Sequence, residues 1–147
     1  MKKIILAGFS ILIGLQLFAL APTPVISEKL LQSFRESFPN AEKVLWDESG
    51  DHYTVSFVET GILNRITYDK NGDFSGSVRY YTGRYLPYYL VTLLKDKYPG
   101  RKIYGVTEIT APAGILYYVK LEAPKNWLTV VLDSEGNSEV QDKYSKN

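Results

Sequence analysis

The chain has no cysteine, a single histidine and a single methionine among its 147 residues. The missing cysteine excludes disulfides, thiol catalysis and lipid attachment through an N-terminal cysteine. With His52 alone, a Ser-His-Asp triad or a histidine metal site would have to be built around one imidazole beside the Gly50 turn; a solvated turn histidine is the simpler reading. An excess of either charge is missing too, since 17 Lys and Arg face 16 Asp and Glu, which leaves no electrostatic footprint for a nucleic acid. Paired carboxylates do occur, as Asp47 with Glu48 and Asp133 with Glu135. They fall at hairpin ends instead of converging on a cleft, so no catalytic residue is assigned.

At the N-terminus Lys2 and Lys3 precede an apolar run from Ile4 to Leu15, and Ala19-Leu20-Ala21 offers small residues at the spacing a signal peptidase reads. Residues 1–21 are therefore expected to be a signal peptide, with Pro22 unfavourably placed just after the cut. The alternative is an uncleaved anchor, for which Ile4 to Leu20 falls short of the about twenty residues that a spanning helix needs. Losing Lys2 and Lys3 takes the formal charge from +1 to −1. An exported chain without disulfides must rely on its core, which suits a bacterial periplasmic or secreted protein with no membrane association after cleavage.

What is present is a repeat. Leu30, Leu31, Phe34, Phe38 and Pro39 return sixty residues later as Leu90, Val91, Leu94, Tyr98 and Pro99. After a four-residue insertion near Thr110 to Gly114 the match resumes at an offset of sixty-four, with Tyr53, Val55, Phe57, Ile66, Tyr68, Asp69 and Gly72 facing Tyr117, Val119, Leu121, Val130, Leu132, Asp133 and Gly136. The spacing predicts an amphipathic helix after an N-cap at Ser27, and a second one opening at Pro87 and running to Tyr98. Period-two alternation predicts strands at about 42–47, 52–59, 62–69 and 74–82, then 102–110, 115–122, 126–133 and 138–144. The fold class is α+β: a tandem repeat of one helix followed by a four-stranded antiparallel sheet, at about 26–82 and 86–144, within a single domain 22–147 whose two sheets are continuous or tightly packed.

Alternation also separates the two faces. Tyr53, Val55, Phe57, Ile66 and Tyr68 should receive the first helix, and Tyr117, Val119, Leu121, Leu128, Val130 and Leu132 the second. The opposite face reads Thr54, Ser56, Arg65, Thr67, Ser75, Ser77 and Arg79 in the first half, a solvated surface. In the second half it reads Leu116, Tyr118, Lys120, Trp127, Thr129 and Val131, with Tyr104 and Val106 from the preceding strand, which is too apolar to be left to water without a reason. The segment from Arg79 to Tyr89 holds five tyrosines; alternation buries Tyr80 and helix packing covers Tyr88 or Tyr89, leaving Arg79, Tyr81 and Tyr85 near the aromatic face. Tyrosine, tryptophan and arginine dominate interface hot spots, so the candidate binding residues are Tyr118, Trp127, Leu116, Val131, Tyr104, Tyr81, Arg79 and Arg65. Cover by the other half, by the C-terminal segment or by a second subunit is the competing account of this face.

Asp69-Lys70-Asn71-Gly72-Asp73 opens like a calcium loop, but Phe74 stands where that loop needs glycine and Tyr80 where it needs a bidentate glutamate. The counterpart Asp133-Ser134-Glu135-Gly136-Asn137 keeps only the aspartate and the glycine, as a hairpin turn would. No metal and no cofactor are expected.

Phe38-Pro39-Asn40-Ala41 with Val44 and Trp46, Tyr68-Asp69-Lys70-Asn71-Gly72, Leu86-Pro87, Tyr98-Pro99, Val106, Glu108-Ile109, Tyr117-Tyr118-Val119 and Asp133 to Gly136 resemble the PepSY-like, β-lactamase-inhibitor-like (BLIP-like) domains exported by Bacteroidetes. The resemblance spans about 26–136 and implies tandem helix-plus-sheet units whose concave sheet surface grips a protein or peptide partner, as the inhibitor namesake grips an enzyme. PepSY domains are associated with restraint of peptidases. The namesake's disulfides have no counterpart here, so the resemblance carries a fold and a non-enzymatic role, not inhibition of a β-lactamase. Two other functions are open from the residues: a carboxylate-dependent hydrolase of envelope or dietary polymers, and a structural envelope protein that oligomerises through the apolar face.

Overall fold

A computed structural model describes residues 24–146; the expected signal peptide lies outside the described residues. Helix α1 (Glu28–Ser37) opens where Ser27 accepts a hydrogen bond from the Leu30 amide at 3.3 Å and closes as the Phe38 amide returns to the Phe34 carbonyl. Strands β1 (Glu42–Ser49), β2 (His52–Glu59), β3 (Ile62–Asp69) and β4 (Phe74–Tyr81) follow. A 3₁₀ turn at Gly83–Tyr85 leads into α2 (Tyr88–Lys97), then β5 (Lys102–Ala111), β6 (Gly114–Glu122), β7 (Asn126–Asp133) and β8 (Ser138–Ser145). Pro87 stands at the N-cap of α2, one place before the expected first helical position.

The eight strands make one antiparallel sheet in sequence order, because β4 pairs directly with β5. The chain therefore does not form two separate four-stranded sheets. The four residues inserted in the second half lengthen the β5–β6 hairpin by two residues on each strand, since β5 runs on to Ala111 and β6 starts at Gly114. An even extension leaves every side chain on its original face.

Both helices lie on the same side of this sheet. Cross-strand pairing carries one face from Val55 and Ile66 through Ser77, Thr110 and Ile115, and from Phe57 through Asn64, Arg79, Glu108 and Tyr117 to Leu132. Phe34 of α1 packs on Val55, Phe57 and Ile66, with its ring edge-on to Phe57 at 5.1 Å and to Trp46 at 5.4 Å. Leu90 and Leu94 of α2 pack on Val119, Leu121, Leu128, Val130 and Leu132. Between these two apolar clusters the polar row Asn64, Arg79 and Glu108 crosses β3, β4 and β5.

Two turns are built alike. The Asp69 carboxylate accepts from the amides of Asn71 and Asp73, and the Asp133 carboxylate from those of Glu135 and Asn137. Gly72 and Gly136 take positive φ there and sit against Leu30 and Leu93, so each turn is pressed on its own helix. The aspartate oxygens are engaged by donors of their own turn, as in a hairpin. These donors hold both carboxyls below the usual carboxylate range, the Asp73 amide contributing most at Asp69 and the Asn137 side chain at Asp133. A carboxyl lowered in the folded state contributes stability that is full above its unfolded value and is lost as pH falls through the folded one. Acid titration of unfolding is therefore expected to be shallower in Asp69→Asn and Asp133→Asn variants than in the parent chain.

Candidate binding face

The face opposite the helices is organised in cross-strand rows. One row runs Val58, Leu63, Tyr80, Thr107, Tyr118 and Val131, and its neighbour runs Ser56, Arg65, Val78, Ile109 and Leu116. Leu63, Tyr80 and Leu116 are well exposed in these rows. Towards the other end lie Gly105, Lys120, Thr129 and Asp142, and then Glu122, Trp127 and Tyr144.

A bulge at Tyr104 shapes this end. Ile103 pairs with Leu121 and Gly105 with Lys120, so Tyr104 is the extra residue, and its ring stands edge-on to Trp127 at 4.9 Å. Gly105 beside it contributes no side chain, which opens a depression of about 360 Å³ bordered by Tyr80, Tyr104, Thr107, Tyr118, Lys120 and Thr129. The Lys120 ammonium lies 4.8 Å from the Trp127 ring and 5.3 Å from that of Tyr144. Lys146 sits over Trp127 at 4.4 Å and bonds to Glu122 at 2.5 Å. A cation over an aromatic ring is held by the ring quadrupole, so these lysines and rings form one connected patch.

Six of the eight expected residues lie on this face: Tyr118, Trp127, Leu116, Val131, Tyr104 and Arg65. Arg65 is set apart, three strands from Tyr118 along the sheet. Arg79 and Tyr81 are on the helix side, and this corrects the reading from alternation. The cause is a bulge at Ser75: Tyr68 pairs with Phe74 but Thr67 with Gly76, so the side chains after Ser75 exchange faces. Tyr80 is consequently the exposed residue and Tyr81 is 8% exposed. Ser77 also moves to the helix side, and the first half is less solvated than expected because Val78 and Tyr80 extend the apolar band across β4. The bulge at Tyr104 similarly turns Val106 into the core. Tyr88 and Tyr89 are exposed on α2 instead of covered.

Tyr81 donates to Glu108 at 2.5 Å, and Arg79 reaches the other carboxylate oxygen at 3.2 Å. Burial, reinforced by that carboxylate, pushes the Tyr81 phenol far above its ordinary value. Glu108 is the buried acid nearest to a catalytic candidate, and both of its oxygens are engaged by these partners. Sequence reasoning passed over Tyr80, hidden by the Ser75 bulge, and Tyr144, whose place on this face depends on the β7–β8 register.

Among solved structures the chain is similar to a BLIP-like protein from Bacteroides fragilis, with a TM-score of 0.59 and 17% identity over 83% of this chain and 87% of that one. The fold is BLIP-like. A DUF2874 family protein from Bacteroides uniformis matches this BLIP-like chain with a TM-score of 0.57 and 14% identity, covering 82% of it and 90% of its own length. A protein from Bacteroides eggerthii described as periplasmic gives 0.58 and 13%, with 83% and 90% covered. No family model and no curated protein matches the sequence. No helix among the described residues is long and apolar enough to cross a membrane.

Proposed function

We propose that this BLIP-like chain is an exported, non-enzymatic binding module that holds a protein or peptide partner on the sheet face opposite its helices. The observation that carries this reading is the asymmetry of the sheet. One face is covered by α1 and α2, while the other keeps Tyr80, Tyr104, Leu116 and Tyr144 exposed around Tyr118 and Trp127. Strand spacing and rise give the open face a footprint of about 1,000 Å², against about 800 Å² per partner in an ordinary interface. Export is supported by the lysine-led apolar N-terminus and by the periplasmic description of the Bacteroides eggerthii neighbour.

The two halves are read as copies of one helix-plus-four-strand unit, residues 26–82 and 86–144 within a PepSY-like domain. The matching aspartate turns support this, as do bulges at corresponding places near the start of β1 and β5. Inhibition or regulation of a peptidase or other envelope enzyme is the role such a face would suit.

The test is capture from an envelope extract of the source organism by the parent chain and by Trp127→Ala and Tyr118→Ala variants. Truncating a hot-spot aromatic costs about 2 kcal/mol or more, so each variant is expected to hold the partner on the order of thirty-fold more weakly, with its unfolding midpoint little changed. Equal capture by all three would remove the face from the account.

A further inference from the structure

Lys120 is set apart from Arg65, Glu139 and Asp142, the other charges of the open face that join no ion pair, because they are exposed and it is not. The described residues contain five ion pairs within 4 Å, and Lys120 belongs to none of them. Glu122 and Asp142 are on the same face, but Glu122 is engaged by Lys146, and Asp142 stands opposite Thr129 without reaching the ammonium. Lys120 is nevertheless half-buried, held over Trp127 and Tyr144 at the edge of the depression that Gly105 leaves open. Burying a cation between rings without a carboxylate costs desolvation that only part of the cation–π attraction offsets. Thr107, Thr129, Tyr80 and Tyr118, each carrying a hydroxyl, line the same depression, and Lys120 is the one charged residue among its lining.

Resting on the binding role above, we propose that this depression is a carboxylate subsite, which takes an aspartate or glutamate side chain of the partner polypeptide flanked by apolar residues. The ammonium supplies the charge-assisted hydrogen bond that specifies the acid. Tyr104 and Tyr118 cover the stem of the incoming side chain and exclude water, which strengthens that bond. The flanking apolar residues would lie on the Val78, Ile109, Leu116 and Val131 part of the face. Its charge thus selects the partner's sequence as well as its shape.

The probe is a random heptapeptide library displayed on phage, selected in parallel on the exported form of the protein and on its Lys120→Met, Lys120→Glu and Trp127→Ala variants. Methionine keeps the apolar stem against Trp127 and removes only the charge. Peptides selected on the parent chain are expected to be enriched in an acidic residue beside aromatic or aliphatic ones. Such a peptide, resynthesised with its acid replaced by the amide, should bind about tenfold more weakly to the parent and equally to Lys120→Met. Lys120→Glu should select basic peptides instead, and millimolar acetate or phosphate should compete poorly. Acidic enrichment that persists in Lys120→Met, or its absence on the parent, overturns the subsite. Selection that depends on Trp127 but not on Lys120 overturns the subsite and leaves the binding face standing. Selection indifferent to both removes the face as well.

Discussion

Replacing Phe57 by alanine is expected to lower the stability of the chain by about 3–5 kcal/mol, the usual cost of deleting a buried phenyl ring. Phe57 is 1% exposed and is the hinge of the first apolar cluster, with Phe34 edge-on at 5.1 Å and Phe38 tilted at 4.8 Å. Its direct cross-strand neighbour Asn64 is polar and donates to the Ile62 carbonyl at 2.8 Å, so the position facing it on β3 offers no apolar side chain to fill the void. A loss of this size is a large part of the about 5–15 kcal/mol that single domains possess. Urea unfolding of the variant checks it. Because β4 and β5 join the halves in one sheet, the transition is expected to stay single.

The second large effect is at the junction itself. Glu108→Ala is expected to cost about 2–4 kcal/mol, since it leaves the buried Tyr81 hydroxyl without its acceptor and Arg79 without its counter-charge. Arg79 keeps some solvent, with 39% of its side chain exposed, so the loss falls short of that for a wholly buried ion. Glu108→Gln retains an acceptor for Tyr81 and should recover roughly half of it. The pair Glu108→Leu with Tyr81→Phe removes the hydroxyl together with its acceptor, leaves only the half-solvated Arg79 unpaired, and should be milder than Glu108→Ala. Thermal or urea unfolding of the three variants separates these outcomes.

Most of the architecture was legible because helix and strand periods are strong signals here. Leu30, Phe34 and Phe38 mark one helical stripe, and the strands of 52–59 and 126–133 were placed to the residue. The candidate face was legible only where alternation ran unbroken, as in β6 and β7. Bulges at Ser75 and Tyr104 change the phase of β4 and β5, and nothing in the local composition announces them. A bulge is settled by pairing with the neighbouring strand, so it belongs to tertiary structure. For that reason plain alternation puts Arg79 and Tyr81 on the open face and buries Tyr80, whereas the bulge turns the first two to the helix side and leaves Tyr80 to complete the apolar band.

The correction changes the character of the surface. The contrast between a polar first half and an aromatic second half is softened, since Leu63, Val78 and Tyr80 carry apolar area across the β4–β5 junction. A partner would therefore be centred near the middle of the sheet and towards β7, with Arg65 at its rim.

The central claim is that the partner sits on the face opposite the helices. Oxidative footprinting of the complex, read by mass spectrometry at each aromatic residue, tests it most directly. Tyr104 and Tyr144, exposed in the free chain, should be protected together with Trp127, while Tyr88, which is 84% exposed on α2, should oxidise as before. Protection of Tyr88 with Tyr104 and Trp127 unchanged would place the partner on the helix side and contradict the account.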